Sequence, residues 1–170
     1  MNRRLAVGVI VAACLACGSC WGADRAIFGP WGLKFGQKAE ESAAQMKENG
    51  ASLVFDTFAY RIGVTSLYQG EFFGRSCFAQ LFTNDRGLWR VQMSFKRPEI
   101  QAGSGQKGNY FELSKLLTDK YGSPKTITTS HGEARQWKDE DQMIELTADN
   151  RSESNYTTVL TYTDRRRYMW

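Results

Sequence analysis

The chain predicts an α+β protein: a tandem duplication of a helix followed by four antiparallel strands, with the two helices packed on sheet. Three observations carry this. Two helix-like stretches, "AAQMKENG" and "LLTDKYGSP", end on glycines in register, Gly50 and Gly122. Each is followed by four short segments rich in β-formers. Between the halves, "RPEIQAGSGQKG" (97 to 108) is polar and glycine-rich, as a linker is.

The elements follow in order. "MNRR" and the apolar run "LAVGVIVAACLACG" predict a secretory signal peptide over 1 to 22, cut between 18 and 23, too short to span a bilayer. A glycine- and aromatic-rich lead-in runs from 23 to 37. The first half (38 to 96) opens with a helix carrying Ala39, Ala43 and Met46 at helical spacing. Strands are expected at 52 to 62, 66 to 72, 76 to 83 and 88 to 95, with "NDRG" (84 to 87) as a turn. In the last strand, Trp89, Val91, Met93 and Phe95 alternate with Arg90, Gln92 and Ser94, which predicts one dry and one wet face. The second half (109 to 163) starts on Asn109 with Glu112 three residues on, the spacing of a capping box. Tyr110, Leu113, Leu117 and Tyr121 form its helical stripe. Strands are expected at 125 to 130, 134 to 138, 142 to 148 and 156 to 163. A basic tail, 164 to 170, holds "RRR" as a solvated run. Aligned on the two glycines, Glu40 meets Glu112 and Ser42 meets Ser114. A half of this size is marginal alone, so a shared core is expected.

Composition narrows the function classes. With 42% hydrophobic and 13% aromatic residues in 170, there is ample material for a core, and disorder is excluded. The net charge of +4 is mild, and falls to +2 if Arg3 and Arg4 leave with the leader. No basic stripe interleaved with aromatics is present, so nucleic acid is not an expected partner. The mature chain is expected to be exported, periplasmic or extracellular, with no membrane span. The alternative is a lipid anchor: "VAAC" resembles a lipobox and makes Cys14 the attachment point. If Cys20 survives cleavage, a disulfide to Cys77 is open to it; otherwise Cys77 stands alone.

Candidate chemistry is thin. "GSGQKG" has the spacing of a dinucleotide loop, but "RPEIQA" stands where a strand should lead in. His131 is the only histidine, with no cysteine close in sequence, and reads as a turn residue. "KDED" (138 to 141) lacks a calcium loop's glycine and final glutamate and reads as a hairpin turn. Asp56 and Glu71 are a conceivable carboxylate pair that sequence cannot bring together. "NRS" and "NYT" match the glycosylation sequon. No catalytic residue, cofactor or metal is expected. The strand aromatics are the better signal: around Cys77, Ala79 and Leu81 on one face, Phe78 and Phe82 lie on the other, as core or as an interface.

The duplicated helix-plus-four-strand pattern, spanning roughly 28 to 163, resembles the tandem architecture of the beta-lactamase inhibitor protein. The "WGLKFG" entry and "YGSP" exit are similar to motifs of small exported bacterial proteins of unknown function. This resemblance implies a fold that binds proteins through its loops and open sheet face, although the inhibitor's paired cysteines have no counterpart here. The expectation is an exported binding module, probing another protein of the cell envelope. The alternatives are an envelope-assembly lipoprotein, a small-ligand binder with an enclosed aromatic pocket, and a hydrolase with an unrecognised site.

Overall fold

Two meanders of hydrogen-bonded strands meet edge to edge in one sheet. The computed structural model describes residues 29–59, 63–96, 108–129, 132–148 and 156–168. The first meander runs β1 (Ser52–Ala59), β2 (Gly63–Phe72), β3 (Arg75–Asn84) and β4 (Gly87–Lys96); the second runs β5 (Lys125–Thr129), β6 (Gly132–Lys138), β7 (Gln142–Ala148) and β8 (Tyr156–Asp164). They join through β4 and β8, giving an antiparallel sheet of eight strands in the order β1-β2-β3-β4-β8-β7-β6-β5. The two interior ends of the meanders form the seam, and the first strand of each meander is an outer edge.

Alternation along each strand then decides what is dry. Cys77, Ala79 and Leu81 of β3, Val91, Met93 and Phe95 of β4, Leu160 and Tyr162 of β8, and Ile144 and Leu146 of β7 are buried together with Met46, Leu113 and Leu117. Those last three come from α1 (Ala39–Glu48) and α2 (Asn109–Tyr121), so both helices cover the same face of the sheet. The lead-in belongs to this core as well. Leu33 is fully buried, Trp31 packs edge-on against Phe72, and Gly36 and Gln37 exchange backbone hydrogen bonds with Leu88 at 2.8 Å. That approach requires Gly87, whose φ is +91° and whose absent Cβ would lie 2.3 Å from the Gly36 carbonyl.

Both helix stops use positive φ, +76° at Gly50 and +88° at Gly122, as the two glycines predict. The helix starts differ from expectation. The N-cap of α2 is Gly108, and Asn109 and Glu112 make no capping box. Their side-chain oxygens instead accept from the two terminal nitrogens of Arg75, at the start of β3. A guanidinium reaching in from the other meander offers those oxygens charged donors, which outcompete the helix's own backbone amides. It is α1 that has a side-chain start: Glu41 Oε2 accepts from the Lys38 backbone N–H at 3.1 Å.

Two further expectations resolve. "KDED" is a hairpin turn, with Asp139 Oδ1 accepting the backbone N–H groups of Asp141 and Gln142. The arginine run forms a one-turn helix, α3 (Arg165–Tyr168), in which Arg165 and Arg166 stay exposed as expected and Arg167 is half-buried. The buried Asp164 accepts from Arg166 N–H at 3.0 Å and Arg167 Nε at 3.1 Å. Arg167 also donates to the Arg86 carbonyl at 2.6 Å, and Arg166 pairs with Asp141 at 3.0 Å. No helix among the described residues is long and apolar enough to cross a membrane.

Candidate functional site

The face away from the helices is set by the same alternation. It carries Leu67 on β2, Phe78, Gln80 and Phe82 on β3, Gln92 and Ser94 on β4, Val159 and Thr161 on β8, and Met143 and Glu145 on β7. Phe78 and Phe82 are half-buried there and about 13 Å apart along the strand. Phe78 has Gln69 and Ser94 as its cross-strand neighbours, and Phe82 belongs to an aromatic cluster.

That cluster exists because β4 carries one extra residue. Phe82 pairs with Arg90, but Thr83 pairs with Leu88, leaving Trp89 unmatched in a β-bulge. Strict alternation would place Trp89 beside Val91 in the core. The bulge overturns that expectation: Leu88 and Val91 both stay in the core, and Trp89 is outside it. Its ring packs 5.5 Å from Phe82 and 5.0 Å from Tyr168 of α3. Arg90 lies 5.4 Å from the Phe82 ring centroid and donates from Nη2 to Gln92 Oε1 at 2.8 Å.

Between these residues and β7 and β8 lies a cleft of about 560 Å³. Trp89 and Tyr168 form its aromatic wall, and Met143, Thr161 and Thr163 line the sheet side, with Arg90, Glu145 and Arg165 as the charges. Glu145 accepts from Gln136 Nε2 at 2.7 Å. Burial lowers the Arg90 guanidinium from its ordinary value while Glu145 and Tyr168 pull the other way. An arginine stays cationic throughout such shifts.

The other sequence candidates separate. Cys77 faces the core, and burial, with Glu71 adding to it, pushes its thiol up to about 12, so it is neutral and poorly nucleophilic. Asp56 pairs with Ser66, five residues before Glu71 on β2; the two carboxylates are roughly 16 Å apart on opposite faces. Cys14, Cys20 and His131 lie outside the described residues, as do the sequon asparagines and most of the 97 to 108 segment. Among the described residues no group of three or more His, Cys, Asp or Glu is placed to hold a metal.

Sequence reasoning reached Phe82 and missed Trp89, Arg90 and Tyr168 as a unit. The one legible signal was the pair of adjacent large side chains, Trp89 and Arg90, just after the "NDRG" turn. No protein-family model, curated protein or solved structure matches the chain.

Proposed function

We propose that this chain is an exported binding module that engages another protein of the cell envelope through the open face of its sheet. The observation that carries the reading is the one-sided cover that the described residues give the sheet. Both α1 and α2 pack on the core face, while the opposite face keeps Leu67, Phe78, Phe82 and Val159 half-buried among glutamines and threonines. Apolar side chains spaced through a polar, hydrogen-bonding surface are what a protein interface uses. α3 reaches this face at one end only, through Tyr168.

The tandem-duplication reading belongs with this proposal, as does the resemblance to the beta-lactamase inhibitor protein. Support comes from the strand order, which reads the same outward from the β4–β8 seam in both directions. It also comes from Ser42 and Ser114, which match on the glycine alignment and are both buried beneath their helices. The hydrolase alternative asks for a deep cleft with converging polar residues, and Asp56 and Glu71, which lie on opposite faces, do not supply it as a pair. The envelope-lipoprotein alternative turns on Cys14 and is decided by the intact mass of the mature chain: a diacylglyceryl-modified Cys14 supports it and an unmodified N-terminus ends it.

The sheet-face reading is tested by placing a photo-crosslinking residue at Phe78 and, separately, at the exposed Lys47 of α1, in cells exporting the protein. A discrete adduct from position 78 and none from position 47 is expected. Equal adducts from both, or none from 78, would dismiss the face as the interface.

A further inference from the structure

We propose that the cleft beside the β4 bulge binds a small organic acid: one carboxylate carried on an apolar or aromatic body. The argument starts from Arg90. It is half-buried, its Nη2 is occupied by Gln92, and no carboxylate among the described residues lies within ion-pairing distance of it. Its Nε is shut away from solvent with no acceptor among the described residues. The indole Nε1 of Trp89, 95% buried with its side chain, is in the same condition. Buried charges are normally compensated, so a half-buried guanidinium with no carboxylate partner among the described residues, lining an aromatic-walled cleft, points to an anion that arrives from outside. A carboxylate brings two oxygens and the charge that a guanidinium matches.

Charge and shape define the rest of the ligand. Among the described residues, Arg90 and Arg165 against Glu145 leave one uncompensated positive charge in the cleft, enough for a single anionic group. Gln136 holds the Glu145 carboxylate, which keeps a hydrogen-bonded anion in the cleft lining and disfavours a multiply charged guest. The remaining wall is Trp89, Tyr168 and Met143, surface for a ring or alkyl body and wasted on an inorganic ion. The volume of about 560 Å³ lies within the usual range for small-molecule sites. The cleft shares Met143, Glu145 and Thr161 with the sheet face of the proposed interface, but the two readings fail independently, since the interface is read by crosslinking from position 78.

The test uses the full chain, labelled with 15N, and follows the Trp89 indole N–H and Arg90 Nε–H during titration with phenylacetate, phenylacetamide and inorganic phosphate. Phenylacetate is expected to shift both signals saturably, with phenylacetamide and phosphate each about tenfold weaker, the worth of one charge-assisted hydrogen bond. Arg90→Gln is expected to weaken phenylacetate about tenfold, and Arg90→Lys by less. Should Arg90→Gln fail to fold, the exposed Arg165→Gln is the second variant, expected to fold normally and to weaken phenylacetate severalfold. Absence of saturation, equal binding of the amide, tighter binding of phosphate, or indifference to both arginine substitutions would each overturn the proposal.

Discussion

The hairpins β3–β4 and β7–β8 hold corresponding places on either side of the seam, and they differ by one residue. β7–β8 pairs without interruption from Gln142 with Asp164 to Ala148 with Thr158. β3–β4 breaks register between Phe82 and Thr83. In the unbroken hairpin, neighbouring residues must face opposite ways, so no two consecutive side chains can line one site. The bulge releases that constraint at Trp89 and Arg90, which together supply an aromatic wall and a cation. A sheet built of two four-strand meanders thus acquires a cleft through a local departure, leaving the core register on both sides intact.

The sharpest way to break the comparison is to truncate one large side chain in each hairpin. Trp89→Ala is expected to lose about 3–5 kcal/mol and to abolish the cleft's response to phenylacetate, because both the wall and the Tyr168 contact go. Ile144→Ala, fully buried in the regular hairpin, is expected to lose about 2–5 kcal/mol while leaving phenylacetate binding within about twofold. Urea unfolding and the same titration read both. Loss of the cleft in both variants would mean that the site depends on the sheet as a whole and not on the bulge.

Each hairpin also buries a group that resists losing its proton: Cys77 in β3 and Tyr162 in β8. An unfolded thiol ionises near pH 9.0, while folded Cys77 holds its proton to about 12. Between those values the native state binds the extra proton, so stability falls as pH rises, at up to about 1.4 kcal/mol per pH unit. Cys77→Ala is expected to delay the alkaline decline in urea midpoint from near pH 9 to above pH 10, where Tyr162 and Tyr68 take over, both raised chiefly by burial. An unchanged onset would show that Cys77 is solvated.

Much of the fold was legible, and the reason is local. Strand positions followed from alternation, and the helix ends from Gly50 and Gly122, which the backbone needs at positive φ. What escaped was set by distant partners. Asn109 and Glu112 have the spacing of a capping box, yet Arg75 claims both from the far end of β3. Trp89 fits a dry-face pattern until the register with β3 is known. Arg167 reads as solvated until buried Asp164 is placed beneath it. The candidate site consists almost wholly of such long-range facts, and so only Phe82 was visible in advance.

The Arg75 clip is also the next prediction in size, because it ties β3 of one half to α2 of the other. Arg75→Ala is expected to lower stability by about 1 kcal/mol, since Glu112 is itself partly exposed and water screens much of the attraction. A double-mutant cycle with Glu112→Gln isolates the pair. A coupling near zero would reduce the clip to a surface contact.

The smallest effect on folding, and the clearest contrast between halves, concerns the outer edges of the sheet. β1 presents Leu53, Val54 and Phe55 at 52%, 50% and 48% exposure, whereas β5 presents Lys125, Thr126 and Thr128. A long apolar edge offers unpaired backbone groups and sticky side chains together, while lysine and threonine blunt the other. The register shift at Leu53/Phe55 twists β1 and limits the hazard without removing it. Val54→Lys is therefore expected to leave the urea midpoint almost unchanged, within about 0.5 kcal/mol, yet to reduce self-association in sedimentation velocity. Thr126→Lys on β5 is expected to change neither. If the β1 variant associates as readily as the parent, the apolar edge is already protected by the twist of its bulge, and the two edges are equivalent in solution despite their composition.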